Sequence, residues 1–154
     1  MIEKLFNSTT VAVNVKAKNW EEAVRYGGEM FVKAGNTGRA YIEAMIENIR
    51  KMGQYIVIAP GLAMPHARPE FGVKKIGLGL VHLKEPVAFG NKEYDPVDIL
   101  VFLCATDKNT HINVLSELME LIEDEFFLKQ VRGGMEKNAI INYIHQKACK
   151  GENK

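Results

Sequence analysis

Apolar and polar positions alternate between two periods along the chain, and the change of period sets the expected architecture. Val11 to Val15 is a β-branched run and predicts a first strand. Asn19 with Glu22 three positions on fits a capping box, opening a helix from Trp20 to about Ala34. Trp20, Ala23, Val24, Gly27, Phe31 and Ala34 share one face of that helix. After a turn at Gly35–Gly38, a second helix is expected from about Arg39 to Met52, burying Tyr41, Ile42, Met45, Ile46 and Ile49 and ended by Gly53. The pattern then becomes strand-like at Tyr55–Ala59, Ile76–Leu83 and Asp98–Ala105. Asp107 and Lys108 read as a solvated turn, with Asn109 or Thr110 capping the next helix. That helix holds His111, Val114, Leu115, Leu118, Met119 and Ile122. Asp124 caps a short helix through Val131, Gly133-Gly134 break the chain, and a last helix starts near Met135. The order β-α-α-β-β-β-α-α-α is too irregular for repeating βαβ units. It predicts an α+β fold in three layers, α/β/α, with a central mixed β-sheet flanked by helices on both faces. No linker or repeat divides residues 1–154, so one domain is expected.

Composition narrows the function. The chain has 154 residues, 47% hydrophobic and 25% charged, with a net charge of +1. No run of one sign asks for nucleic acid or an acidic membrane surface. Two cysteines, Cys104 and Cys149, have no metal-site spacing and make no disulfide framework, which fits a reducing cytoplasm. The first residues are too polar for a signal peptide, and no apolar stretch approaches the ~20 residues of a membrane span. A cytoplasmic protein is expected.

The candidate chemistry centres on Ala59–Glu70, which carries three of the five prolines. Pro65 and Pro69 stiffen the backbone on either side of His66 and Arg68. The plainer reading is a proline-rich loop with an incidental histidine. Of the other histidines, His145 suits the C-terminal end of the last helix and His82 the end of a buried strand. His111 falls in the first turn of a helix, where unpaired N–H groups and the dipole favour an anion and a neutral imidazole. If the strands before them are neighbours, His66 and His111 can meet. Two histidines and an arginine, without a third metal ligand, suit phosphoryl transfer better than zinc chemistry. A metal-dependent hydrolase is the alternative, with Glu70 the one acid close to His66 in sequence. Neither a phosphate-cradling Gly-rich loop ending in Lys-Ser/Thr nor a Gly-x-Ser-x-Gly elbow is present.

The stretch from Tyr55 through Met64-Pro65-His66-Ala67-Arg68-Pro69-Glu70, then Gly72 to Lys75, Asp95 to Leu100 and Thr110-His111, resembles the enzyme IIA components of the sugar phosphotransferase system. The superfamily is the mannitol–fructose one, and the Ala-Arg-Pro-Glu continuation is most similar to its ascorbate branch. The resemblance implies a phosphohistidine carrier without cofactor or metal. His66 would accept a phosphoryl group from HPr on its distal ring nitrogen and pass it to a cysteine of enzyme IIB, with the membrane enzyme IIC an indirect partner. His111 would be the second active-site histidine, orienting His66 and stabilising the phosphate with Thr110. Arg50 stands at the spacing of an arginine used by mannitol-type members, and Arg68 is its rival. Cys104 and Cys149 do not look activated, so enzyme IIB is expected to be another chain. Leu62 and Met64 are candidate docking residues for it, or else core. A regulatory homologue that signals by phosphorylation state, and a homodimer, both stay open.

Overall fold

The computed structural model describes residues 2–152, and the side chains of all of these except Gln54, His111 and residues 149–152. Five strands, β1 (Val11–Val15), β2 (Val57–Ala59), β3 (Leu62–Ala63), β4 (Gly77–Val87) and β5 (Val97–Cys104), form one sheet in the order β1-β4-β5-β3-β2. The pairs β1/β4 and β3/β5 are parallel, and β4/β5 and β2/β3 antiparallel, so the sheet is mixed. Five helices cover it: α1 (Trp20–Ala34), α2 (Ala40–Ile56), α3 (Lys108–Ile122), α4 (Glu125–Arg132) and α5 (Lys137–Glu152).

Side chains alternate across a strand, and β5 feeds both cores in that way. Leu100, Phe102 and Cys104 join α1 and α2 on one face. Ile99, Val101 and Leu103 join α3, α4 and α5 on the other. The three-layer arrangement follows, as the pattern predicted. On the α1 face, Phe31 meets Phe102 edge-on at 6.3 Å. Gly27 lies so close that a Cβ there would sit 2.1 Å from the Phe102 ring, so α1 needs glycine at this point to approach the sheet. Truncating either buried phenylalanine to alanine would cost about 3–5 kcal/mol.

Several element boundaries differ from those read in the sequence. Helix α2 does not stop at Gly53 but continues to Ile56, so Tyr55 and Ile56 are helical rather than strand. Gly53 does not take the left-handed conformation that ends a helix; Met52 alone departs, at φ −125° and ψ 21°, and kinks the element. Ile56 is buried seven residues after Ile49, so the apolar stripe carries the helix past the glycine. Strand β3 was missed because two residues between Pro60-Gly61 and Pro65 are too few for a period to show. Strand β4 runs on from Leu83 to Val87 through Pro86, where only Val87 is still paired, with Val97.

The cap of α3 is Asp107, not Asn109 or Thr110. Its backbone is extended, and its carboxylate accepts from the Thr110 N–H at 2.7 Å and the Thr110 hydroxyl at 2.8 Å. At α1, Asn19 accepts from the Glu22 N–H as expected, but the Glu22 carboxylate accepts from the Lys18 N–H instead of closing the box on Asn19. Asp124 caps α4 as read, accepting from the Phe127 N–H at 3.0 Å.

Candidate active site

Parallel pairing of β3 with β5 (Leu62 with Ile99, Ala63 with Leu100) sends both strands out at the same end of the sheet. The segment after β3 holds His66, and the segment after β5 leads through Asp107 into α3. This is why residues some 40 positions apart share one end of the molecule.

The segment Met64–Arg68 is fastened on two sides. Against β5, the Leu103 N–H donates to the Pro65 carbonyl at 3.3 Å. Against α2, the Met64 N–H donates to the Ile56 carbonyl at 2.9 Å, and Asn48 Nδ2 donates to the His66 carbonyl at 3.1 Å. Tyr41 ties the two sides together. Its hydroxyl donates to the Leu103 carbonyl at 2.8 Å and accepts from the Ala67 N–H at 2.9 Å. Burial pushes its phenol well above the usual range, so it stays a neutral donor. Stiff prolines thus add to specific anchors, and His66 is held with little freedom.

The His66 ring is half-buried, with Nδ1 2.8 Å from the Met64 carbonyl oxygen. A carbonyl can only accept, so Nδ1 carries the proton and the lone pair of the neutral imidazole lies on Nε2. A backbone carbonyl two residues away thus holds the ring at Nδ1. The backbone of His111 stands in the first turn of α3, at the same end of the sheet; its side chain lies outside the described residues.

The remaining candidates fall in different places. Arg68 is on the His66 segment, its side chain 81% exposed, with Glu70 3.8 Å away. Arg50 pairs with Glu21 at 3.1 Å and Glu47 at 3.5 Å and lines a cleft of about 520 Å³ with Trp20, Tyr55 and Phe89. Thr110 spends its hydroxyl on the Asp107 cap. Leu62 and Met64, offered as docking residues, are core: they are 0% and 8% exposed, because β3 is covered on both faces. The exposed apolar side chains on this part of the chain are Phe71, in the 3-10 turn after Arg68, and Ile112, next to His111. Cys104 is buried and its thiol is pushed up to about 12 by burial, so it is no nucleophile. His145 is exposed on α5, and His82 lies toward the opposite end of the sheet. Among the described residues, no three His, Cys, Asp or Glu side chains are grouped to hold a metal ion.

Sequence reasoning missed Tyr41, Asn48 and the Met64 carbonyl as parts of the site. Tyr41 and Asn48 are seven apart on α2 and therefore share a face. An asparagine on an otherwise apolar stripe was the available signal. A backbone carbonyl leaves none.

A stiffly held imidazole whose Nδ1 proton rests on a backbone carbonyl presents, in its neutral form, a lone pair on Nε2, as a histidine-based group carrier requires. The chain belongs to the family described as "Phosphoenolpyruvate-dependent sugar phosphotransferase system, EIIA 2", whose model matches residues 4–147. It is 38% identical over 143 residues to the ascorbate-specific PTS system EIIA component of Salmonella choleraesuis (strain SC-B67), covering 92% of this chain and 93% of the relative. The solution structure of the mannitol-specific cryptic phosphotransferase enzyme IIA CmtB from Escherichia coli superposes with a TM-score of 0.85 at 32% identity, over 95% of this chain and 99% of that one. Enzyme IIAMtl, in its complex with phosphorylated enzyme IIBMtl from Escherichia coli, superposes with a TM-score of 0.79 at 25% identity, over 92% and 99%. The protein is a phosphotransferase that carries a phosphoryl group in sugar uptake.

Proposed function

We propose that His66 Nε2 is the atom that carries the phosphoryl group, with phospho-HPr as donor and a cysteine of a separate enzyme IIB as acceptor, during uptake of ascorbate. The observation that carries this reading is the 2.8 Å contact from His66 Nδ1 to the Met64 carbonyl, which leaves the nucleophilic lone pair on the distal nitrogen. The ascorbate-specific relative supports the substrate, and the complex of IIAMtl with IIBMtl supports the acceptor.

In the first step the Nε2 lone pair attacks phosphorus. The bond from phosphorus to the donor's imidazole nitrogen breaks, and that nitrogen regains its lone pair. His66 keeps its Nδ1 proton on the Met64 carbonyl, so the developing positive charge on the ring is stabilised where it arises. In the second step a cysteine thiolate attacks phosphorus and the bond to Nε2 breaks. Each step exchanges one phosphoryl bond for another, so the protein mainly positions and solvates the group. Arg68 supplies a planar fork for the phosphoryl oxygens, and the start of α3, with His111 and Thr110, supplies N–H donors. Arg50, held by two carboxylates, is the weaker candidate. Phe71 and Ile112, 46% and 63% exposed, are the apolar residues a partner would cover as it brings its reacting atom to Nε2.

No helix among the described residues is long and apolar enough to cross a membrane. As a carrier between HPr and enzyme IIB, it would work from the cytoplasm, handing its phosphoryl group on towards the membrane enzyme IIC through enzyme IIB. The test is incubation with phosphoenolpyruvate, enzyme I and HPr, followed by mapping of acid-labile phosphate. Label on His66 in the wild type and none in His66→Ala is expected. Label elsewhere, or undiminished label in the variant, overturns the assignment. Transfer to the ascorbate enzyme IIB, compared with transfer to the mannitol one, tests the sugar.

A further inference from the structure

The turn Pro60-Gly61, which joins β2 to β3, is held by more bonds than a two-residue turn needs. The Gly61 carbonyl accepts from the N–H groups of both Asp98 and Ile99, at 3.0 and 3.1 Å, and the Gly61 N–H donates to the Tyr94 carbonyl at 2.9 Å. Arg132, the last residue of α4, donates from Nε to both oxygens of Asp98 at 3.0 Å and from Nη2 to the Pro60 carbonyl at 3.0 Å. Asp98 therefore governs two successive carbonyls, one through its own backbone and one through Arg132. Gly61 has φ +72°, and a Cβ there would lie 2.7 Å from Arg132 Nη2 and 2.9 Å from Asp98 Oδ1. The clamp closes only over glycine.

What the clamp governs follows from the brevity of β3. Only Leu62 and Ala63 pair with β5, so the ladder alone fixes register weakly. A slip of one residue would exchange the faces of Leu62, in the core on the α3 side, and Ala63, in the core on the α1 side. With the near end held by Leu103 and Asn48, a slip would have to be taken up between Ala63 and Pro65, in the backbone that carries the Met64 carbonyl. From Gly61 to His66 is five residues, about 16 Å of extended chain. That length is pinned at the far end by Arg132 and Asp98, and at the near end by Tyr41, Asn48 and Leu103.

We propose that Arg132, acting through Asp98 and the Pro60 carbonyl, is a positioning residue that sets the register of β3 and with it the protonated nitrogen of His66. The effect on rate rests on His66 being the phosphoryl acceptor; the effect on the imidazole does not.

The test uses the full chain, 15N-labelled on histidine, with two-bond proton–nitrogen correlations reporting the His66 tautomer. The wild type should show the Nδ1-protonated form. Arg132→Gln and Asp98→Asn should shift both ring nitrogens toward their mutual average. Phosphoryl transfer from phospho-HPr should fall on the order of tenfold in kcat, with KM little changed. Arg132→Lys keeps a cation for Asp98 but cannot also reach Pro60, and should lie between. Arg25→Gln, which breaks an exposed pair with Glu43, should leave the His66 signals unchanged. Folded Arg132→Gln and Asp98→Asn with wild-type His66 signals overturn the proposal. If Arg132→Gln does not fold, the same signals in Arg132→Lys decide: displaced nitrogens support the clamp and wild-type ones overturn it. A wild type that takes no phosphate on His66 would defeat the carrier assignment while leaving the tautomer measurement to judge the clamp.

Discussion

The two ends of the sheet use the same residue types to opposite ends. Where β3 and β5 finish, His66 rests its ring on a backbone carbonyl and Arg68 reaches into solvent with one distant carboxylate for company. Where β5 begins, His82 lies 3.9 Å from Asp98, and Arg132 spends three donor contacts on Asp98 and Pro60. Burial lowers the pKa of His82, with Arg132 adding to that and Asp98 working against it. At one end the cation is exposed, with one carboxylate 3.8 Å away; at the other it is consumed by the fold. Residue type therefore does not mark a site. What differs between the ends is how many partners within the fold each arginine holds.

The comparison breaks most visibly at the histidines. His66→Ala should abolish labelling by phospho-HPr, whereas His82→Gln should retain it; loss of label in both would erase the distinction between the ends. The arginines come next. Arg68→Ala should slow transfer about tenfold, or roughly 1.4 kcal/mol of transition-state stabilisation, with little change in melting temperature. Arg50→Ala should change the rate by less than about twofold, since its partners are Glu21 and Glu47. Equal effects would place Arg50 at the phosphate after all.

Tyr41→Phe sharpens the comparison by loosening the site end alone. It leaves the Leu103 carbonyl and the Ala67 N–H without their buried partner, so a loss of about 1–3 kcal/mol in chemical denaturation is expected. A variant as stable as wild type would mean that the segment is held by its prolines.

The smallest effect concerns Asp107. Hydrogen bonds from the Thr110 N–H and hydroxyl hold its carboxyl below its ordinary 3.8. A carboxyl lowered in the folded state adds stability above the unfolded value, and loses it as pH falls through the folded one. Any difference in melting temperature between wild type and Asp107→Asn should therefore be present at pH 7 and close at pH well under 3.8. A gap independent of pH would assign the cap to geometry and not to charge.

Much of the layer structure was legible because it rests on period. The stripe on α1 and the apolar runs in β4 and β5 state their environments directly. What escaped was set by tertiary contact. Gly53 had the chemistry of a helix end, but burial of Ile56 carried α2 beyond it. Asn109 and Thr110 had the chemistry of a cap, but Asp107 stood three residues before Thr110 in extended backbone, where its carboxylate could reach. At the site, the proline-flanked histidine stood out, while its anchors did not. Tyr41 looked like one more core aromatic, and only the fold shows that its hydroxyl joins β5 to the segment after β3.

The group that holds Nδ1 of His66 is the main-chain carbonyl of Met64. A saturation library would therefore not find it by side-chain chemistry. Position 64 should behave as an ordinary volume-limited interior site, accepting leucine or isoleucine and rejecting charge, with no signature of its contact to His66. Sensitivity should appear at neighbours that bend the path of the chain, Gly61 and Pro65 above all. Sequence divergence could rewrite residue 64 while leaving the orientation of the His66 ring intact.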